Sequence, residues 1–418
     1  MKKFIVAIVI IVALFVIVFS AKSKSDGVVP STWWRFQSID TMKYSRDLSR
    51  QELSDPAFDE TIDKQISAIA QTGATHVAIA TPYDEEFYPI LKRWVDAARK
   101  YNLNVWFRGN WSGWEGWFEY PKITRAEHIN KTREFILSHS SLFADGDVFT
   151  ACPECENGGP GDPRQTGDVE GFRKFLIDEY MVTKAAFRSI NKNVASNFDS
   201  MNGDVARAVM NRETTFALDG VVTIDHYVST PEKLVTDIKA ISQESGGKIV
   251  LGEFGAPIPD INGEMTEDQQ AIWIKDALNS LVTEDAVIGV NYWTNIGSST
   301  SIWNDSGDPK KAVGVLRSVY DAPIVSGQIT DAIGSGVEGA YVAVGNRHFL
   351  TDNKGNFAFP YFSGYKTAKI ENTGYLSETI EIKPGTQSVV VLKRENEDLV
   401  FKIRKFFYNL FKSSRTSK

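Results

Sequence analysis

Between about residues 33 and 321 the chain alternates short apolar, β-branched runs with longer stretches in which apolar residues recur every three or four positions. Eight runs read as strands, at 34–38, 75–80, 104–108, 147–152, 194–198, 221–227, 248–254 and 287–293. Amphipathic helices separate them, for example at 56–71, 85–100, 126–139, 169–189, 231–244 and 267–282. Strand–helix alternation of this kind implies a parallel sheet, and eight units fit a (β/α)₈ TIM barrel at 31–322. An open doubly wound sheet is disfavoured because no Gly-x-Gly-x-x-Gly follows the first strand.

The texture changes after Asp321-Ala322-Pro323. Residues 324–394 carry short β runs punctuated by Gly, Asn and Asp with no helical period, which predicts a small all-β domain. At the other end, Lys2 and Lys3 precede an apolar run from Phe4 to Phe19, so residues 1–25 read as an N-terminal hydrophobic helix, either a retained signal anchor or a cleaved signal peptide. The expected location is therefore membrane-anchored and extracytoplasmic, or secreted. The tail at 395–418 reads as a basic amphipathic helix, with Leu399, Val400, Ile403, Phe406, Phe407, Leu410 and Phe411 at helical spacing and Lys402, Arg404, Lys405 and Lys412 beside them. Such a helix suits adsorption to an anionic membrane surface or docking on its own protein.

The 418 residues carry 46 basic and 53 acidic side chains, a net charge of −7 that argues against a nucleic-acid partner. Aromatic residues make up 12% of the chain, and Trp111, Trp114 and Trp117 fall three apart among glycines just past the third strand, where flat rings stack on sugars. The five His show no metal-ligand spacing, and neither a metal nor a cofactor is expected. Cys152 and Cys155 are the only cysteines; they straddle Glu154, and they can bridge only if the chain turns sharply at Pro153.

The chemistry is read from two glutamates, each just past an apolar run: Glu154 in Phe149-Thr150-Ala151-Cys152-Pro153-Glu154-Cys155-Glu156-Asn157, and Glu253 in Val250-Leu251-Gly252-Glu253-Phe254. Their separation suits strands four and seven of one barrel, which delivers both carboxylates to its C-terminal mouth. Paired carboxylates in a cleft are the equipment of glycoside hydrolysis.

These segments, with Asp225-His226-Tyr227 and Tyr292-Trp293, fall in an order that resembles clan A glycoside hydrolases, the barrel superfamily of cellulases and mannanases. The resemblance implies a retaining O-glycosidase with Glu154 as acid/base, Glu253 as nucleophile, Tyr227 beside the nucleophile and Trp293 at the end of strand eight. Glu156 stays open as the alternative acid/base, because the clan's usual Asn before that glutamate is here Pro153. Arg46, Arg108, Trp111, Trp114, Asn157, Asp225, Tyr227, Tyr292 and Trp293 are the candidate substrate-binding residues for a poly- or oligosaccharide. A non-catalytic carbohydrate-binding barrel and a transglycosylase are the rival readings. The segment 324–394 resembles the carboxypeptidase-regulatory-like, prealbumin-type β-sandwich through Thr351-Asp352-Asn353-Lys354-Gly355-Asn356-Phe357, which implies a fold and no activity.

Overall fold

The computed structural model describes residues 31–41, 45–111, 119–157, 159–385 and 387–413, with side chains as far as 406. The apolar run of 1–25 lies outside the described residues, as do Lys43, Trp114 and Trp117. Among the described residues no helix is long and apolar enough to cross a membrane. The chain divides into two compact units, one of residues 32–323 with 362–364, the other of the C-terminal β domain with its tail.

The larger unit is α/β. Its strands are β1 (Phe36–Asp40), β2 (His76–Ile79), β3 (Asn104–Phe107), β4 (Val148–Phe149), β5 (Met201–Asn202), β6 (Val221–Asp225), β7 (Lys248–Phe254) and β8 (Val287–Tyr292). They form one eight-stranded sheet in the order β4-β3-β2-β1-β8-β7-β6-β5, parallel throughout. The sheet curls, and its two edges meet in one segment: Ala195 bridges Val148 of β4, while Met201 and Asn202 a few residues on pair with β6. Inside the curl, Phe36, Ala78, Trp106, Val148, Phe198, Val221 and Val250 pack as one buried cluster drawn from nearly every strand.

The expected helices form with small shifts of boundary, as at Phe58–Ala70, Arg125–Ser138, Val169–Ser189, Pro231–Ser245 and Glu267–Val282. Their ends are written in the sequence. Thr124 with Glu127, and Thr266 with Gln269, make reciprocal capping boxes, and Gly246 closes 231–245 in the left-handed conformation that glycine tolerates.

The fifth strand differs from the expectation at 194–198. Only Ala195 bridges there, and the polar groups that follow leave the ladder: the Phe198 carbonyl accepts from Thr150 Oγ1 at 2.7 Å, Asp199 accepts from the Ala151 and Cys152 amides at 3.1 and 3.4 Å, and the Ser200 carbonyl accepts from the Glu154 amide at 2.8 Å. That stretch is spent on holding the loop after β4.

The C-terminal unit packs two sheets. Strands β10 (Tyr341–Val344), β11 (Arg347–Leu350), β13 (Thr367–Glu371) and β14 (Glu378–Glu381) form one in the order β11-β10-β13-β14, and β9 (Ile324–Asp331), β12 (Asn356–Pro360) and β15 (Gln387–Leu392) form the other in the order β12-β9-β15. Val325, Ile329, Val342, Val344, Phe357, Phe359, Ile370 and Leu392 are its buried core. In the Thr351–Phe357 turn, Asp352 Oδ1 accepts from the amides of Lys354 and Asn356 at 2.8 Å, and Gly355 takes φ 79° where a Cβ would strike the Ile329 carbonyl. The tail is helical over Leu399–Ser413; Phe401 is buried under the Arg394 guanidinium, whereas Leu399, Val400, Ile403 and Phe406 are exposed by 49–72%.

Phe198 touches Phe36 and Trp106 edge-on at the floor of the curl, with ring centroids 5.1 and 6.0 Å away. Phe198→Ala is expected to lower unfolding stability by about 3–5 kcal/mol, because the emptied volume lies where strands from opposite edges meet. Chemical denaturation of the full chain measures it.

Candidate active site

The site begins with a bulge. Strands β6 and β7 run in step as far as Ile224 and Leu251; the register then shifts so that Asp225 faces Glu253, and Gly252 takes the extra position. Gly252 has no room for a side chain, since a Cβ would lie 2.3 Å from Asp225 Oδ1 and 2.9 Å from Ser200. Its carbonyl accepts from Arg108 Nη1 at 2.6 Å and from Asn291 Nδ2 at 2.8 Å.

Arg108, one residue past β3, is 2% exposed and ties the strand ends together. Its Nη2 donates to Glu253 Oε1 at 2.7 Å and to Asp225 Oδ2 at 3.1 Å, and its Nε lies 3.4 Å from Asp40 Oδ2 at the end of β1. Burial alone would strip its charge; Asp225, Glu253 and Asp40 instead hold its proton more tightly than usual. Ser200 Oγ donates to Asp225 Oδ2 at 2.7 Å, and Tyr227 OH donates to Glu253 Oε2 at 2.7 Å. Trp293 stands half-buried beside Tyr227, ring centroids 5.9 Å apart.

Glu154 enters from the loop after β4. It has φ 48°, a left-handed conformation that costs a non-glycine residue on the order of 1 kcal/mol or more. Local contacts hold it there: its amide donates to the Ser200 carbonyl, its carbonyl accepts from the Asn157 amide, and the Cys152–Cys155 disulfide, with a Cα separation of 5.3 Å, closes the turn around it. One oxygen from each of Glu154, Asp225 and Glu253 falls within 4.8 Å of the other two. A cation is already enclosed by carboxylates here, the Arg108 guanidinium. His128, Cys152 and Cys155 also lie within 4.8 Å of one another with metal-binding atom types, but their sulfurs are joined to each other.

This cluster penalises negative charge on its carboxyls. Burial, then the nearby Asp225 charge, lifts the Glu154 carboxyl to about 7, and burial pushes Asp225 up as well. Burial and Asp225 also push Glu253 upward, against Arg108, which pulls it down. Both oxygens of Glu253 are hydrogen-bonded, to Arg108 Nη2 and to the Tyr227 hydroxyl, whereas Asp225 Oδ1 has no partner among the described residues. Burial outweighs Arg108 at Glu253, so its carboxyl too lies well above the ordinary value.

Other candidates fall elsewhere. Glu156 is fully buried, its Oε1 accepts from the Asn202 amide at 2.6 Å, and burial followed by the Glu154 charge raises it to about 8. Trp111 is 5% exposed, donates from Nε1 to Thr132 Oγ1 and packs on Tyr83 and Phe135, so it is a core ring and no platform. Tyr292 is buried beneath the mouth and donates to the Thr300 carbonyl at 2.8 Å. Arg46 pairs with Asp84 and lies over Phe87. Asn157 accepts from Arg164 Nη2 through its side-chain oxygen at 2.8 Å, and its backbone amide donates to the Glu154 carbonyl at 2.8 Å. Sequence reading missed Asp40, Ser200 and Asn291; polar Asn291 inside the apolar run of β8 was the available signal, since buried polar side chains need partners.

The half-buried carboxyl of Glu154 and the buried carboxyls of Glu156 and Asp199 are raised to about 7, 8 and 8 from ordinary values of 4.5, 4.5 and 3.8. Each binds a proton in the folded chain that the unfolded chain has already released, so each contributes stability that is complete below about pH 4 and lost as pH rises through 7–8. The thermal midpoint is expected to fall between about pH 6 and pH 9, and Asp199→Asn is expected to flatten that slope. A pH series of melting curves reads both.

No protein-family model matches the sequence, and no curated protein is found similar to it. Among solved structures the chain is similar to a β-glucuronidase of Bacteroides uniformis, with 11% identity and a TM-score of 0.49 over 85% of this chain and 46% of that one. A β-glucuronidase of Dictyoglomus thermophilum gives 17% and 0.47 over 69% and 50%, and a GH2 β-galacturonidase of Eisenbergiella tayi gives 15% and 0.46 over 69% and 51%. The chain spans about half the length of these proteins.

Proposed function

We propose that the protein is a retaining glycosidase acting on O-glycosidic bonds of a poly- or oligosaccharide, its larger unit working as a (β/α)₈ barrel. The observation that carries this reading is the close approach of Glu154 and Glu253, with oxygens within 4.8 Å, because a retaining pair stands about 5 Å apart whereas an inverting pair leaves room for water between them. The asymmetry of the pair supports it too. Glu253 is bonded by the Arg108 guanidinium and the Tyr227 hydroxyl, which favour its ionised form, and the Glu154 carboxyl, without such a guanidinium bond, is lifted to about 7.

In the first step Glu253 attacks the anomeric carbon as the glycosidic C–O bond breaks, and the Glu154 proton passes to the departing oxygen. In the second, Glu154 takes a proton from water as that water attacks the anomeric carbon, and Glu253 leaves. Tyr227 and Arg108 hold the nucleophile in one orientation throughout, and Trp293 offers a half-exposed ring beside it.

Glu253→Gln should lower turnover of an oligosaccharide or aryl glycoside panel by about a thousandfold or more, with the fold intact by circular dichroism. Glu154→Ala should lose about a hundredfold, and azide should restore part of it as a glycosyl azide of retained configuration. Undiminished turnover in Glu253→Gln refutes the assignment; transfer to sugar acceptors in place of water identifies a transglycosylase.

We also infer that the tail helix adheres to anionic membrane surfaces. Leu399, Val400, Ile403 and Phe406 stand exposed while Lys402, Arg404 and Lys405 flank them on a chain whose net charge is negative. Sedimentation with phosphatidylserine vesicles should retain the chain lacking residues 1–25 at low salt and release it when residues 395–418 are also removed or salt is raised. Equal retention with and without the tail overturns this.

A further inference from the structure

We propose that Asn110 is the positioning residue for Glu154: its side-chain amide holds the Pro153–Glu154 peptide and so sets the direction in which the candidate acid points. The catalytic consequence rests on the glycosidase reading above; the contacts do not.

Asn110 is fully buried two residues past Arg108, and helix 125–138 fixes it there. The Trp111 amide donates to Asn110 Oδ1 at 2.7 Å, and His128 Nε2 lies 3.3 Å from the same oxygen. A backbone N–H only donates, so that end of the Asn110 amide is the oxygen, and the His128 nitrogen facing it carries a proton. Across its ring, His128 Nδ1 meets Glu179 Oε2 at 3.1 Å, and one turn along the helix Thr132 Oγ1 accepts from Trp111 Nε1. The NH₂ of Asn110 is left facing the turn that carries Glu154. It donates to the Pro153 carbonyl at 3.4 Å and lies 3.5 Å from Cys152 Sγ.

That carbonyl shares a peptide plane with the Glu154 amide, which donates to the Ser200 carbonyl at 2.8 Å. The plane is therefore gripped at both ends, its C=O from the chain just past β3 and its N–H from the stretch before β5. The next plane is held too, because the Glu154 carbonyl accepts from the Asn157 amide at 2.8 Å. Two fixed planes leave the residue between them one backbone conformation, with φ 48°, and one direction for its Cα–Cβ bond. Without the Asn110 donor the buried Pro153 carbonyl loses this hydrogen bond, and the plane is free to rotate toward another. Glu154 then relaxes toward the right-handed or extended backbone that a non-glycine residue prefers, and its carboxyl swings away from Glu253.

The merely structural alternative is that Asn110 only ties Trp111 and His128 into the core. That role would lower stability and slow all substrates alike. A displaced general acid instead slows the first step where the leaving group is poor and must be protonated.

The test uses the full chain with Asn110→Asp, Asn110→Ala and, as a core control, Trp111→Phe, which keeps the backbone donor to Asn110. The aspartate keeps the shape and the oxygen that meets Trp111 and His128, and sets oxygen against the Pro153 carbonyl in place of NH₂. Two glycosides of one sugar are compared, with an alkyl and a dinitrophenyl leaving group. Asn110→Asp should lower kcat/KM about tenfold or more on the alkyl glycoside and less than about threefold on the dinitrophenyl one. Asn110→Ala should repeat that pattern, and it carries the test alone if Asn110→Asp does not fold. Trp111→Phe should lower the melting midpoint and affect both substrates equally. Equal losses on the two glycosides in the Asn110 variants, or the same selectivity in Trp111→Phe, overturn the proposal.

Amide hydrogen exchange followed by NMR reads the contacts without turnover. In a folded Asn110 variant the Glu154 amide should exchange about tenfold or more faster than in the parent, while the amides of β3 and β7 keep their rates. Faster exchange at Glu154 supports the positioning role even if the parent cleaves no glycoside, and that combination would count against the glycosidase reading alone. Unchanged exchange at Glu154 overturns the proposal whatever the activity.

Discussion

One buried guanidinium organises the mouth of the curled sheet. Arg108 reaches the ends of β1, β6 and β7 at once through Asp40, Asp225, Glu253 and the Gly252 carbonyl. A charge withdrawn from water in this way is tolerable only when fully partnered, and taking away one side of such a network costs about 3–5 kcal/mol because the other side is left buried and uncompensated. The arrangement has more acids than it can neutralise. One cation faces Asp40, Asp225 and Glu253, with Glu154 at the border, and the surplus is resolved by retained protons. A carboxylate cluster that must keep protons at neutral pH already contains the division of labour that acid–base chemistry requires.

The backbone is shaped around that network. The register shift between β6 and β7 brings Asp225 opposite Glu253, and glycine at 252 is demanded by the atoms of Asp225, Ser200 and Arg108 that close on it. Asn291 on β8 bonds both the Gly252 carbonyl and Asp40 Oδ2, so a fourth strand end is drawn into the same ring of contacts. These are neutral or charge-assisted bonds in a largely buried region, where each is strengthened by its neighbours and each loss is felt by the rest.

Much of the frame was legible in the sequence. The alternation of apolar runs and helical periods located seven strands to within a few residues, and β7 coincides with the expected 248–254. What could not be read was which face each strand-end residue takes. A parallel sheet with helices outside and a packed interior is apolar on both faces, so its strands show no polar alternation from which to set the parity. Arg108 and Tyr292 looked alike as candidates past apolar runs, yet Arg108 turns into the network and Tyr292 is buried against the Thr300 carbonyl. The place of Trp111 was equally illegible: a glycine-rich neighbourhood suggests a loop ring, whereas its indole is buried and donates to Thr132 on a neighbouring helix.

The irregular stretch 195–202 links closure of the sheet to the geometry of Glu154. Its first residue pairs with β4 and its last with β6, and between them Phe198, Asp199 and Ser200 bond Thr150, Ala151, Cys152 and Glu154 in turn. A regular fifth strand would have satisfied its own carbonyls and amides in the ladder and left the turn around Glu154 without these partners. The left-handed backbone of Glu154 carries a conformational cost that isolated sequence would not bear, and the bonds from this stretch, with the disulfide across the turn, are what offset it. The approach of the sheet's two edges and the placement of the candidate acid therefore rest on one stretch of chain: the residues that leave the ladder before β5 are the ones that hold the turn around Glu154.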